Sequence, residues 1–400
     1  MKVLILTNRV PFPPNSGYPI VVYNTIKGLL KLGVEITLFS LNTNKHRVDT
    51  DDIYDPVFEQ INFHVFHLDT EVNVWGALNN LFSDQSYNVS RYFDEDAARL
   101  LEDILREDEF DIIQFEGLFV VPYLDIVKAN SRAKVIYRAH NIEFEVWERI
   151  ARIERFTPRR RYLEFLARRL KHYETEQANR FHQVFAISEQ DRQSIVRFGC
   201  ETALEVFPVA LDFEKYITDQ SKTSFPTLFH LGAMDWRPNK EGLEWFLEEI
   251  WPDIETLNSE LRFYIAGKNM QRQFFEYDSD NLVVEGEVFD AVEFMNSKAI
   301  MIVPLLSGSG MRVKIIEGMA MRKCIIATSM AAEGIRCQHG KDILIADTAD
   351  EFYRAILQCV TNPTQWQEIG ENARKTVERD HDINTISQRM LKVYEKLISV

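Results

Sequence analysis

At 400 residues the chain is longer than one ordinary hydrophobic core organises, which points to two domains. An apolar content of 46% with 12% aromatic residues excludes a disordered or low-complexity chain and fits a globular one. A formal net charge of -15 argues against nonspecific nucleic-acid binding by the surface as a whole.

The chain opens on MKVLILTNRV, whose apolar run VLIL is short for the core of a signal peptide and is followed by Thr, Asn and Arg. A buried first strand is the better reading, and no segment approaches the length of a membrane span. Cys200, Cys324, Cys337 and Cys359 are widely spaced, without a C-x-x-C pair, and read as reduced packing thiols. The expectation is a cytoplasmic protein.

Short apolar runs alternate with stretches of helical period, which argues for α/β architecture with parallel sheets. Strands are expected in the first half at KVLIL, EITLFSL, INFHVFHL, DIIQFE, KVIYRAH and QVFAIS. Between the first two, YPIVVYNTIKGLLKLG has helical period and ends at Gly33, a suitable C-cap. The stretch LEVFPVALDFEKYITDQSKTSFP, with two prolines and a polar run, reads as the linker. The second half repeats the pattern at TLFHLG, LRFYIAG, LVVEG, AIMIVPLL, CIIATS and DILIAD. Two doubly wound domains are expected, residues 1–207 and 208–383, facing each other across a cleft. A terminal helix at about 384–400 is expected to pack back on the first domain.

Within AIMIVPLLSGSGMRVKIIEGMAM a buried strand feeds a turn with two serines and two glycines, and a helix follows. Gly308 and Gly310 permit close approach of a ligand, and a helix start offers unpaired N–H groups and partial positive charge to an anion. Arg312 and Lys314 add full charges. The bland alternative is an ordinary strand-to-helix turn with solvated cations. A Walker loop lacks its Gly-Lys-[Ser/Thr], and a dinucleotide fingerprint would need glycine at Val313. Glu317 lies three residues after Lys314, one turn along the same face. A surface ion pair of well under about 1 kcal/mol would explain it. The following GMAM, however, marks a buried helix in which a carboxylate needs a partner, and a sugar diol is one such partner.

This segment resembles the signature of family 4 glycosyltransferases of the GT-B fold. Further stretches resemble the same family in the expected order: VPFPPNSGYPIVVYNTIKGLLKLGVEITLFS, YRAHNIEFEVW, FAISEQDRQSI and HLGAMDWRPNKEGLEWFLEEIWP. The resemblance implies transfer of a sugar from a nucleoside-diphosphate sugar, by retention, onto a glycan or lipid-linked glycan. It implies that Glu317 holds the ribose hydroxyls. It implies that Arg312 or Lys314, with the backbone of Gly308, Ser309, Gly310 and Met311, holds the diphosphate. Gly232 would open the donor domain, and Arg237 would substitute for a phosphate-binding arginine, with Lys240 a solvated helix-start charge. Gly17 would let the first domain's backbone approach the donor phosphate or acceptor. His140, at a strand's carboxyl end, would position the sugar or contact the acceptor. Many family members place a second glutamate eight positions before the first; Ser309 stands there instead.

Asp-x-Asp occurs within Asp49–Asp52 and at Asp278–Asp280, in polar loop-like runs that read as solvated acids, and no zinc spacing is evident. No cofactor and no metal are expected. From Arg149 to Lys171 nine basic and two acidic residues accompany an apolar stripe. A solvated helix pair and a peripheral contact with an anionic inner membrane face explain this stretch equally well. Two other readings stand beside the transferase: a GT-B nucleotide-sugar epimerase and a catalytically silent sugar-nucleotide-binding scaffold.

Overall fold

The computed structural model describes residues 1–71, 87–256, 260–308 and 310–399. It divides into two compact units, Met1–Ala210 with Ile383–Val400, and Leu211–Asp382.

The first unit is built on seven strands, β1 (Lys2–Thr7), β2 (Glu35–Thr43), β3 (Asn62–Leu68), β4 (Ile112–Glu116), β5 (Lys134–Ala139), β6 (Gln183–Ala186) and β7 (Leu204–Val206). They form one parallel sheet in the order β3-β2-β1-β4-β5-β6-β7. Continuous apolar runs such as KVLILT are almost wholly buried because helices cover both faces of such a sheet. The strand order reverses between β1 and β4, with Thr7 beside Glu116 at their carboxyl ends. Ligands of open α/β sheets bind at such a reversal.

The unit's helices include α1 (Gly17–Lys31), α2 (Glu95–Glu107), α3 (Leu124–Asn130), α4 (Glu143–Ile153), α5 (Thr157–Ala178) and α6 (Glu189–Arg197). Asp94 caps α2 by accepting from the N–H groups of Asp96 and Ala97. The C-terminal helix Ile383–Ile398 packs on α1, where a Cβ added to Gly28 would lie 2.0 Å from Ser387 Oγ. A side chain at position 28 would collide with Ser387, so glycine lets the two helices pack this closely.

The second unit has β8 (Thr227–Leu231), β9 (Arg262–Ala266), β10 (Leu282–Gly286), β11 (Ile300–Val303), β12 (Cys324–Ala327) and β13 (Leu344–Ile345). Its parallel sheet runs β10-β9-β8-β11-β12-β13 and reverses between β8 and β11, as the first sheet reverses between its first and fourth strands. Helices α7 (Arg237–Glu249), α8 (Trp251–Glu255), α9 (Ala291–Asn296), α10 (Val313–Ala320), α11 (Ala349–Thr361) and α12 (Pro363–His381) accompany it. Thr348 and Glu351 close a reciprocal capping box on α11.

The linker begins later than its composition suggests. Its opening LEV is β7, paired with β6, and Phe207, Val209, Ala210 and Leu211 are buried. Three residues before Pro208 are too few to display a strand's alternation.

Candidate functional site

In the second unit the buried strand β11 delivers the chain through Pro304 and Leu305 to the glycine turn. Gly308 and Gly310 have φ of +120° and +77°, in the region that favours glycine, while Ser309 lies outside the described residues. Arg312 stands at the N-cap position of α10 and is buried. Its guanidinium donates to the Gly310 carbonyl and sits 5.5 Å from the Trp236 ring centroid, a cation–π distance. Met311, half-buried, joins turn to helix.

Glu317 is buried on the first turns of α10. Lys314 Nζ lies 3.1 Å from Oε2, and the Tyr216 hydroxyl donates to Oε1 at 3.0 Å. Burial pushes the Tyr216 hydroxyl's pKa far up, with the Glu317 charge adding to it, so the phenol remains a donor. A buried carboxylate is tolerated when it is so partnered. The Lys314 side chain itself is a third exposed.

The loop after β8 completes this end of the sheet. Gly232 N–H donates to the Ala266 carbonyl, and a Cβ on Gly267 would fall 1.7 Å from the Gly232 carbonyl oxygen. Asn239 anchors the loop by donating to the Ala233 carbonyl at 2.9 Å. Arg237 is exposed at the start of α7 and pairs with Glu241 Oε1 at 2.5 Å. The other Glu241 oxygen accepts from Ser307 Oγ at 3.2 Å. Arg237 thus reaches the glycine turn through Glu241. Lys240 makes a looser contact with Glu244 at 3.7 Å.

At the reversal of the first sheet, His140 follows β5 and its Nε2 lies 2.5 Å from Glu116 Oε2. Glu116 ends β4 fully buried, accepts from Gln114 Nε2 at 2.5 Å and lies 3.8 Å from Arg138. Burial raises the Glu116 pKa, but Arg138, His140 and Gln114 together outweigh it and hold the carboxyl below its ordinary range. Burial likewise lowers the His140 pKa, only partly opposed by Glu116, so the imidazole is neutral at pH 7. With Nε2–H donating to Glu116, Nδ1 is the ring's acceptor. Tyr18 packs its ring 4.6 Å from that of His140 and donates its hydroxyl to the Glu116 carbonyl at 2.9 Å. The Arg9 guanidinium lies 4.8 Å from the Tyr18 ring centroid. Gly17 is exposed and opens α1, immediately before Tyr18.

Gly308, Gly310, Met311, Arg312, Lys314, Glu317, Gly232 and, through Glu241, Arg237 therefore gather at the carboxyl ends of β8 and β11. His140 and Gly17 stand at the corresponding end of the first sheet. The sequence reasoning missed Tyr216, Trp236, Glu241, Glu116, Arg138 and Tyr18. Glu116 left a signal, a carboxylate closing the apolar run DIIQF directly before Gly117. In the Asp-x-Asp stretches, Asp278 accepts from the Val284 N–H of β10, and Asp49 accepts from the Asp51 N–H of its own loop.

Two parallel-sheet, Rossmann-like units with these turns at the sheet reversals define the GT-B class. Residues 16–215 match the family model described as Glycosyltransferase Family 4, and residues 225–362 match the one described as Glycosyl transferases group 1. The chain belongs to the family 4, group 1 glycosyltransferases, and is a sugar-transferring enzyme of that family. An uncharacterized 44.6 kDa protein in the cps region of Klebsiella pneumoniae is 20% identical over 98% of this chain and 99% of its own. Among solved structures, Anabaena HepE in complex with UDP and glucose has a TM-score of 0.67 at 14% identity, covering 99% of each chain. Sucrose-phosphate synthase of Thermosynechococcus elongatus has a TM-score of 0.73 at 13% identity over 100% of both chains. These structural likenesses concern the fold.

Proposed function

We propose that the enzyme transfers a sugar with retention from a nucleoside-diphosphate sugar to a glycan or lipid-linked acceptor, in the synthesis of a cell-surface polysaccharide or glycoconjugate. The observation that carries this reading is Glu317, buried one turn beyond the glycine loop and held between Lys314 and Tyr216. In this reading its carboxylate accepts from the ribose hydroxyls. Arg312, Lys314 and the backbone N–H groups from Gly308 to Met311 hold the diphosphate, with Arg237 assisting and Gly232 leaving room for the donor.

As the bond from the sugar's anomeric carbon to the diphosphate oxygen breaks, that oxygen gains charge. Fixed cations that bind this charge better than the starting ester lower the barrier. The acceptor hydroxyl attacks on the face the diphosphate leaves, and the departing phosphate oxygen takes its proton. His140, held by Glu116, positions the sugar or acceptor, and Gly17 admits the reactants close to the backbone. No metal takes part, so activity persists in chelator.

HepE, with the same fold, is solved with UDP, UDP and glucose, and UDP-glucose, which makes a uridine donor the first to try. A thermal-shift panel of uridine, guanosine and adenosine diphosphates and their sugars tests the reading. Stabilisation by one base is expected, and none at millimolar concentration would refute it. Conversion of the donor into an epimeric nucleotide sugar without acceptor, seen by product analysis, would indicate epimerisation instead.

A further inference from the structure

Five of the fifteen large apolar side chains exposed among the described residues fall between positions 150 and 165. Ile150 and Ile153 are one turn apart on α4, Tyr162 and Phe165 one turn apart on α5, and Phe156 lies at the joint. Other positions of the two helices serve the core: Phe144, Ala151, Leu163, Leu166 and Leu170 are buried. Ile153 at 54% and Phe156 at 65% exposure are therefore surplus to internal packing. Exposed large apolar side chains concentrated in this way mark an interaction surface.

Its charge says which kind. Glu145 and Glu148, upstream on α4, pair with Arg149 and Arg152 at 3.8 and 3.9 Å, but residues 149–171 hold nine basic and two acidic side chains in a chain of net charge -15. Those two acids, Glu154 and Glu164, are engaged by Arg159 and Arg160 at 3.1 and 2.9 Å. Arg155 and Arg161 are exposed and form no ion pair among the described residues. Nucleic acid would complement the arginines but offer no seat to two isoleucines and a phenylalanine. A bilayer of anionic lipid satisfies both features: apolar side chains enter the boundary of headgroups and acyl chains, and arginines meet phosphates.

We propose that the α4–α5 hairpin docks this glycosyltransferase on an anionic phospholipid membrane. The proposal deepens the lipid-linked acceptor reading and is independent of the donor-site assignments.

Flotation of the full chain with phosphatidylcholine vesicles, containing or lacking phosphatidylglycerol, tests it in low and high salt. Binding is expected only to the anionic vesicles and weakens as salt screens the charges. Each basic side chain near such a surface is worth roughly fivefold in partitioning, so Arg155→Glu with Arg161→Glu lowers it at least roughly twentyfold. Phe156→Ser lowers it roughly tenfold. No flotation with anionic vesicles, or flotation unchanged in both variants, overturns the proposal. So does a wild-type dimer that Phe156→Ser makes monomeric without any vesicle binding, which assigns the patch to self-association. Circular dichroism and the nucleoside-diphosphate thermal shift are read on the same variants. Unchanged folding and nucleotide response with lost flotation supports the proposal. Absent nucleotide response with intact flotation refutes the donor reading alone.

Discussion

Glu317 draws its two partners from opposite ends of what a sequence reveals. Lys314 is three residues away, visible in the spacing, whereas Tyr216 is 101 residues distant and arrives only through the fold. The same holds at His140: its strand-end place was legible, but Glu116 meets it only because β4 and β5 are neighbours. A charge-assisted hydrogen bond is worth roughly 1.5–3 kcal/mol, so Lys314→Ala is expected to lower turnover by about one to two orders of magnitude. Steady-state kinetics on folded protein checks this, and near-normal turnover removes Lys314 from the mechanism. His140 titrates below its ordinary 6.5, so activity is expected to fall only on the acid side of neutrality, as the ring protonates. His140→Gln should lose that acid limb in a pH profile of kcat/KM; an unchanged limb assigns it to another group.

Between elements, packing turns single residues into constraints. Strand positions were legible because long buried runs have few other uses, whereas β7 was hidden by its shortness and by Pro208. The C-terminal helix reaches the first site through a polar chain: the Tyr394 hydroxyl donates to Gln114, Gln114 to Glu116, and Glu116 accepts from His140. The same helix depends on Gly28, and Gly28→Ala is expected to cost about 1–3 kcal/mol by overpacking, measured by denaturant unfolding. Ser387→Ala in the same chain should recover part of that loss.

At the start of α4, Glu174 accepts from the N–H groups of Glu143 and Phe144. Burial pushes Glu143 up to about 7, and burial with the Glu143 charge pushes Glu174 up to about 8, against an ordinary 4.5. The folded chain keeps these protons where the unfolded chain has released them. Their stabilising contribution is full below about pH 4.5, declines above it and is lost as pH rises through 7 to 8. Glu174→Gln, which retains an acceptor for the cap, should flatten this decline in unfolding experiments at successive pH values. An unchanged slope would mean the carboxyl is ionised in the folded state.

For the whole molecule, the recurrence of one sheet plan explains why the architecture was readable and the chemistry only partly so. Each sheet places its first strand in the middle and reverses beside it, and the glycine-rich turns of the second unit and the Glu116–His140 pair of the first lie at those reversals. Turn glycines and strand-end polar residues announce such places in sequence; side chains recruited from elsewhere do not. Tyr216 looks like part of a polar linker, and Trp236 like a loop aromatic, until the fold brings one to Glu317 and the other over Arg312.

What decides the account is where a nucleotide sits. A crystal structure with the nucleoside diphosphate selected by thermal shift should show ribose hydroxyls on the Glu317 carboxylate and phosphates against the turn from Gly308 to Arg312. Density for the nucleotide at any other position, with Glu317 still closed between Lys314 and Tyr216, would contradict it.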